Sequence, residues 1–269
     1  MEPERPARWP AQGHRVLAVS EALKQIEVGL FDWGGTLAHV RTQAENFAAG
    51  AAKAARILCS PAGQRDIERL GRAIISAEAN AAADPSHREA NLTAILIEWA
   101  TSISPSFTSD QLNAARDALG TQWIGSLEPA AGAVEAVREL RGAGLRIGLV
   151  SNCSVPPEYC RREFARQGFA ALMDFTVFSS DVGYRKPSGI IYEAALKLAF
   201  PDGQPRDTSR VLFVGDSPAL DIIAPAALGM KTAQVASPNG FWPDEDHAQA
   251  KPDWRIGSVA DLPALLDRH

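Results

Sequence analysis

The chain has 269 residues, 46% of them hydrophobic, a formal charge of −5 and three cysteines, at 59, 153 and 160. That is ample apolar material for a buried sheet, while mild acidity without a basic stripe argues against nucleic-acid binding. No apolar run is long enough to cross a bilayer, and cysteines without a paired framework fit a reducing compartment. The expectation is a soluble cytoplasmic protein acting on a small molecule, with neither nucleic acid nor membrane as partner.

Residues 1–26 contain Arg and Pro but no apolar stretch of the kind a secretory signal needs, and read as an N-terminal extension with a helical turn or two over Ser20–Gln25. Val28-Gly29-Leu30-Phe31 predicts a buried strand, closed by Asp32-Trp33-Gly34-Gly35-Thr36-Leu37. An Asp before two glycines is a ready turn former. At the end of a buried strand it is also placed to act as a nucleophile. Trp33 beside it either lines the substrate entrance or packs into the core.

Residues 38–128 are alanine-rich, with apolar residues at three- and four-residue spacing over Gln43–Leu58, Arg65–Ala82, Arg88–Ile103 and Asp110–Trp123. Pro61, Pro85-Ser86 and a capping box at Thr108-Ser109-Asp110-Gln111 punctuate four expected helices. Cap side chains facing a site cannot be singled out by pattern; Leu96 and Trp99 fit a pocket lining and core packing equally well. His39, just before these helices, either reaches the site as a proton carrier or sits at a hinge.

Leu145–Val150 predicts the next strand and ends in Ser151-Asn152. Lys186-Pro187 comes just ahead of a helical pattern, and Val211–Val214 ends in Gly215-Asp216-Ser217, with Asp221 following. Each has an ordinary explanation alone: a polar turn, a surface lysine, acids at a helix N-terminus. Cys153 adjoins Ser151-Asn152, with no thiol partner evident from spacing. Thr232–Val235 adds a strand, Pro243–His247 a polar loop, and Ser258-Val259-Ala260-Asp261 a cap for the closing helix, while the loop near Asn239-Gly240 could border a site.

Short, nearly continuous apolar runs alternating with helical stretches are the pattern of a parallel sheet covered on both faces. Ligands of such sheets bind outside the carboxyl ends of the strands. Asp32, Ser151 and Asp216 should therefore meet at one crevice.

In order and spacing, Asp32–Leu37, Ser151-Asn152, Lys186-Pro187 and Gly215-Asp216-Ser217 through Asp221 resemble the four motifs of the haloacid dehalogenase-like hydrolase superfamily. The resemblance implies an α/β, Rossmann-like core over 27–37 and 129–269, a four-helix C1-type cap over 38–128, and a Mg²⁺-dependent phosphatase of small phosphorylated metabolites. It assigns Asp32 as the nucleophile forming an aspartyl-phosphate. Asp32, the Gly34 carbonyl, Asp216 and Asp221 would hold the metal. Ser151, Asn152 and Lys186 would bind the transferring oxygens, with Lys186 also neutralising Asp32.

Gly34 departs from the family pattern Asp-x-Asp-Gly-Thr. The missing acid ordinarily protonates the leaving oxygen and activates water, worth roughly 10² to 10⁴ in rate. Three outcomes are open: a phosphatase using another proton carrier, a chemistry that needs none, or a catalytically weak protein that binds a phosphorylated ligand. The second has a candidate, because Asp-Trp-Gly-Gly-Thr also resembles the opening of phosphonoacetaldehyde hydrolases. These use a cap lysine as a Schiff base, and Lys53 is the one lysine between 38 and 128; it is otherwise an exposed helical position. Metal-free haloacid dehalogenases fit less well, since they leave Asp216 and Asp221 without a task.

Overall fold

The computed structural model describes residues 25–40, 43–59, 62–103, 106–125, 127–201, 206–236 and 249–265. The expected extension up to residue 24 and the loops at 239–240 and 243–247 lie outside the described residues.

Six strands form one sheet: β1 (Val28–Phe31), β4 (Arg146–Ser151), β5 (Phe175–Phe178), β6 (Val211–Gly215), β7 (Lys231–Val235) and β8 (Trp254–Ile256), in the order β5-β4-β1-β6-β7-β8. Every neighbouring pair is parallel. The fold is α/β and Rossmann-like. Strand alternation separates two apolar layers. Val28, Leu30, Val150, Val211 and Phe213 pack with Ile191, Tyr192 and Leu196, while Phe31, Ile147, Leu149, Leu212 and Val214 belong with Val137, Leu140 and Phe164 to the other layer. Burial on both faces is why these strands read as unbroken apolar runs.

Between β1 and β4 the chain leaves the sheet through β2 (Ala38–Val40) and returns through β3 (Leu127–Pro129), an antiparallel ribbon with Ala38 opposite Pro129 and His39 opposite Glu128. Four helices lie between its strands: α1 (Gln43–Leu58), α2 (Gln64–Ala83), α3 (Leu92–Ile103) and α4 (Ser109–Ile124). The small side chains of Ala51, Ala54 and Ala55 are buried in α1, which accounts for the alanine bias as close packing. At the start of α4, the Gln111 amide donates to the Thr108 hydroxyl at 3.1 Å and the Thr108 amide to the Gln111 side chain at 2.9 Å, the expected capping box.

The third helix begins at Leu92, not Arg88. Residues ahead of it are held by the sheet domain instead: Arg88 bridges Tyr184, the Glu89 amide donates to the Gly183 carbonyl at 3.0 Å and the Arg185 amide to the His87 carbonyl at 2.9 Å. Backbone groups spent on that crossing cannot join the helix, so Asn91 caps it, accepting from the Ala94 amide at 3.0 Å. On the sheet side, α5 (Ala133–Gly142), α6 (Pro157–Arg166) and α7 (Gly189–Ala199) complete the layers. Ser258 and Asp261 form the box that opens the closing turn.

Candidate active site

The carboxyl ends of β1, β4 and β6 are adjacent because β1 pairs with both of the others. Asp32 leaves the end of β1 with its amide donating to the Val214 carbonyl at 2.9 Å. Asp216 follows β6, and Asp221 lies one turn into the helical segment Pro218–Ile223. Oxygens of the three carboxylates fall within 4.8 Å of one another. All three are withdrawn from water, at 7%, 5% and 1% exposure.

Glycine makes that approach possible at two places. A Cβ on Gly35, whose φ is +93°, would stand 2.5 Å from an Asp216 oxygen, and one on Gly215 would stand 2.3 Å from the Asp221 Cβ. Either substitution would push an acid off its position. Gly34 is different: it is exposed, and a Cβ there would meet nothing within 4 Å.

Lys186, 3% exposed, supplies the cation. Its Nζ donates to Asp32 Oδ1 and to Asp221 Oδ1, each at 2.7 Å, and lies 5.4 Å from the centre of the Phe213 ring. Burial alone would drive an ammonium toward neutrality, but Asp221 and Asp32 outweigh it and hold the Lys186 pKa above its ordinary range. Asp221 is raised to about 6, by burial first and then by the charge of Asp32, against the pull of Lys186 and of the Ser217 amide, which donates to its other oxygen at 3.0 Å. Among the described residues of the cluster, three carboxylates stand against one ammonium. Hard oxygen donors in that surplus fit a divalent cation such as Mg²⁺, and the residues present suit one.

Asn152 contributes through its backbone grip. Its Oδ1 accepts from the Lys186 amide at 2.7 Å and its Nδ2 donates to the Lys186 carbonyl at 3.1 Å, so the side chain fixes the lysine's main chain and positions it. Ser151 ends β4 opposite Phe178, buried.

Three candidates are not brought into the cluster. Trp33 is 2% exposed, donates from its indole to Gln167 Oε1 at 3.0 Å and meets Phe164 edge-on at 5.3 Å, so its ring is core packing and not an entrance wall. Lys53 is exposed on α1; an exposed ammonium stays hydrated, whereas a Schiff-base lysine needs a desolvated setting. His39 is half-buried in the ribbon, at the joint between the sheet and the helices. Leu96 and Trp99 are buried within the helical insertion, the Trp99 indole donating to the Asp66 carbonyl at 2.9 Å.

Other residues around the site escaped sequence reasoning. Tyr192 is buried below it and donates to the Leu220 carbonyl; burial, then the charges of Asp221 and Asp32, push its phenol up. Glu89, between α2 and α3, accepts from the Ser179 hydroxyl and pairs with Arg185 at 3.2 Å, while Ser179 accepts from the Cys153 amide at 2.7 Å. Arg185 also lies 3.6 Å from Glu78 of α2, whose carboxyl burial pushes up. No local motif announces contacts between residues ninety positions apart.

The model of one protein family, haloacid dehalogenase-like hydrolase, matches residues 26–229. The chain is 30% identical over 165 residues to the pyrimidine 5′-nucleotidase YjjG of Escherichia coli, covering 60% of this chain and 68% of that protein. Its fold is similar to the solved 2-haloacid dehalogenase of Pseudomonas syringae pv. Tomato, at TM-score 0.63 and 21% identity over 90% of this chain and 98% of that one. It is also similar to the HAD-hydrolase YfnB of Bacillus subtilis, solved bound to magnesium, at TM-score 0.56 and 16% identity over 90% of this chain and 99% of that one.

Proposed function

As a member of the haloacid dehalogenase-like hydrolases, the family to which this chain belongs, the protein is a hydrolase, and we propose that it is a Mg²⁺-dependent phosphatase of small phosphorylated metabolites. The observation that carries this is the buried cluster of Asp32, Asp216 and Asp221 around Lys186. A metal-free dehalogenation would not call for oxygens of Asp32, Asp216 and Asp221 to converge within 4.8 Å of one another, all three buried at a cost.

Asp32, Asp216, Asp221 and the Gly34 carbonyl would hold Mg²⁺, which when bound supplies the charge that lets an anionic nucleophile approach an anionic phosphoryl group. Asp32 attacks phosphorus in line and forms an aspartyl-phosphate, dividing one difficult displacement into two easier ones. Lys186, held by Asn152, neutralises charge on Asp32 and on the transferring oxygens, and Ser151 donates to those oxygens. The four helices act as a cap over the crevice, swinging about the β2–β3 ribbon to exclude water and select substrate. With glycine at 34, the proton for the leaving oxygen comes from water, from the substrate or from another side chain.

The nucleotidase relative makes nucleoside monophosphates the first substrate class to test. The test is a panel of phosphate esters, nucleotides included, assayed with Mg²⁺ and with chelator. Phosphate release that chelator abolishes is expected. Halide release from 2-haloacids without a metal requirement overturns the assignment, and silence across the panel favours a binding protein that has lost turnover.

A further inference from the structure

Two of the three thiols lie together where β4 hands over to α6. Cys153 follows Ser151-Asn152 directly, Cys160 is the fourth residue of α6, and their Sγ atoms are 2.9 Å apart. A disulfide spans about 2.05 Å, so the two thiols are free but in direct contact. Cys153 is half-buried and Cys160 fully buried, its Sγ 3.6 Å from the Val155 carbonyl. Cys59 is remote from both, against the Ala100 carbonyl within the helical insertion. The sequence offered Cys153 no thiol partner; the fold supplies one.

We propose that Cys153 and Cys160 are a redox modification site, closed to an intramolecular disulfide by a peroxide. Cys153, the more accessible of the two, attacks a peroxide oxygen as its thiolate. The O–O bond breaks, leaving a sulfenic acid on Cys153 and, after protonation, one water. Cys160 then attacks the Cys153 sulfur, the S–O bond breaks, and the Cys160 proton leaves with the hydroxide as a second water. Two thiols are oxidised by two electrons and one hydrogen peroxide is reduced to two waters. Burial, with the neighbouring Cys153 sulfur, pushes the Cys160 thiol up, which suits it to be the resolving partner and not the first attacker.

The bond would be felt at the site. The Cys153 amide is tied to Ser179, and the preceding residue, Asn152, holds Lys186 by both backbone groups. Drawing Cys153 toward α6 pulls on that grip and on the reach of Lys186 to Asp32, so oxidation lowers turnover; this consequence rests on the phosphatase assignment, whereas the disulfide does not.

Trypsin leaves both cysteines in one peptide, Ile147–Arg161, with no cleavage point between them. The folded, reduced protein is treated with hydrogen peroxide, unfolded, alkylated and digested without reductant. The expected peptide is lighter than its reduced form by two hydrogens, takes no alkyl label and regains both labels after dithiothreitol, while Cys59 stays alkylatable. In Cys160→Ser, dimedone should trap the sulfenic acid on Cys153. Two alkylated cysteines in the treated wild type, or overoxidised Cys153 beside a free Cys160, overturns the proposal. If the disulfide forms but no ester is turned over before oxidation, the phosphatase assignment fails and the redox site stands.

Discussion

The floor of the crevice and the helical insertion treat charge in opposite ways. At the strand ends, Asp32, Asp216, Asp221 and Lys186 are all buried within one cluster. In the insertion the interior is Leu70, Ile74, Leu92, Leu96 and alanines, Lys53 is turned out to water, and the withdrawn acids Glu78 and Glu89 are paired with Arg185 of the sheet domain. Apolar packing needs no partner, but a buried ion is tolerable only beside its counter-ion. The insertion's interior is thus the expected product of folding, while the floor keeps an expensive arrangement that packing alone does not call for.

The sharpest break in this contrast is Asp32→Asn, which keeps the shape and removes the carboxylate proposed as nucleophile. Turnover should fall by several orders of magnitude with the fold intact by circular dichroism; retained turnover means the nucleophile is elsewhere. Next is Lys186→Met, which strands Asp32 and Asp221 as neighbouring buried acids. A loss of about 3–5 kcal/mol in urea unfolding is expected, and a loss below about 1 kcal/mol would mean the floor is not the charged cluster described.

Gly34→Asp tests the gap from the other side. Space for the side chain is open at Gly34, so stability should hardly move, and hydrolysis of the phosphoenzyme should speed up by as much as ~10². An unchanged rate in single-turnover measurements shows that another group already moves the proton. The smallest effect belongs to Lys53→Ala on the insertion's surface: stability within about 0.5 kcal/mol of wild type, the same turnover, and no borohydride-trapped adduct with phosphonoacetaldehyde in either protein.

The same contrast governs what could be read from the sequence. Strands β1, β4 and β6 were legible because burial on both faces makes them nearly continuous apolar runs, whereas Phe175–Phe178 at the sheet edge is only half-buried and Trp254–Ile256 is three residues long. Helix spacing located the four helices, yet the third starts late because Arg88 and Glu89 pair with Tyr184 and Gly183. Motif order pointed to Asp32, Lys186, Asp216 and Asp221, which the structure brings into one cluster. The bond from Lys186 to two acids, the Asn152 grip and the inward turn of Trp33 depend on which strands are neighbours, and no local pattern encodes that.

The bridge from His87–Glu89 to Gly183–Arg185 ends one residue short of Lys186. A rotation of the helices about their ribbon therefore has to part the Glu89–Gly183 and Arg185–His87 backbone bonds, each worth about 0.5–1.5 kcal/mol net, and rehydrate the Glu89 carboxylate. The stretch of chain that makes this bridge is continuous with the one that carries the ammonium. Any displacement of that bridge would therefore be felt at Lys186 and, through its two bonds, at Asp32 and Asp221.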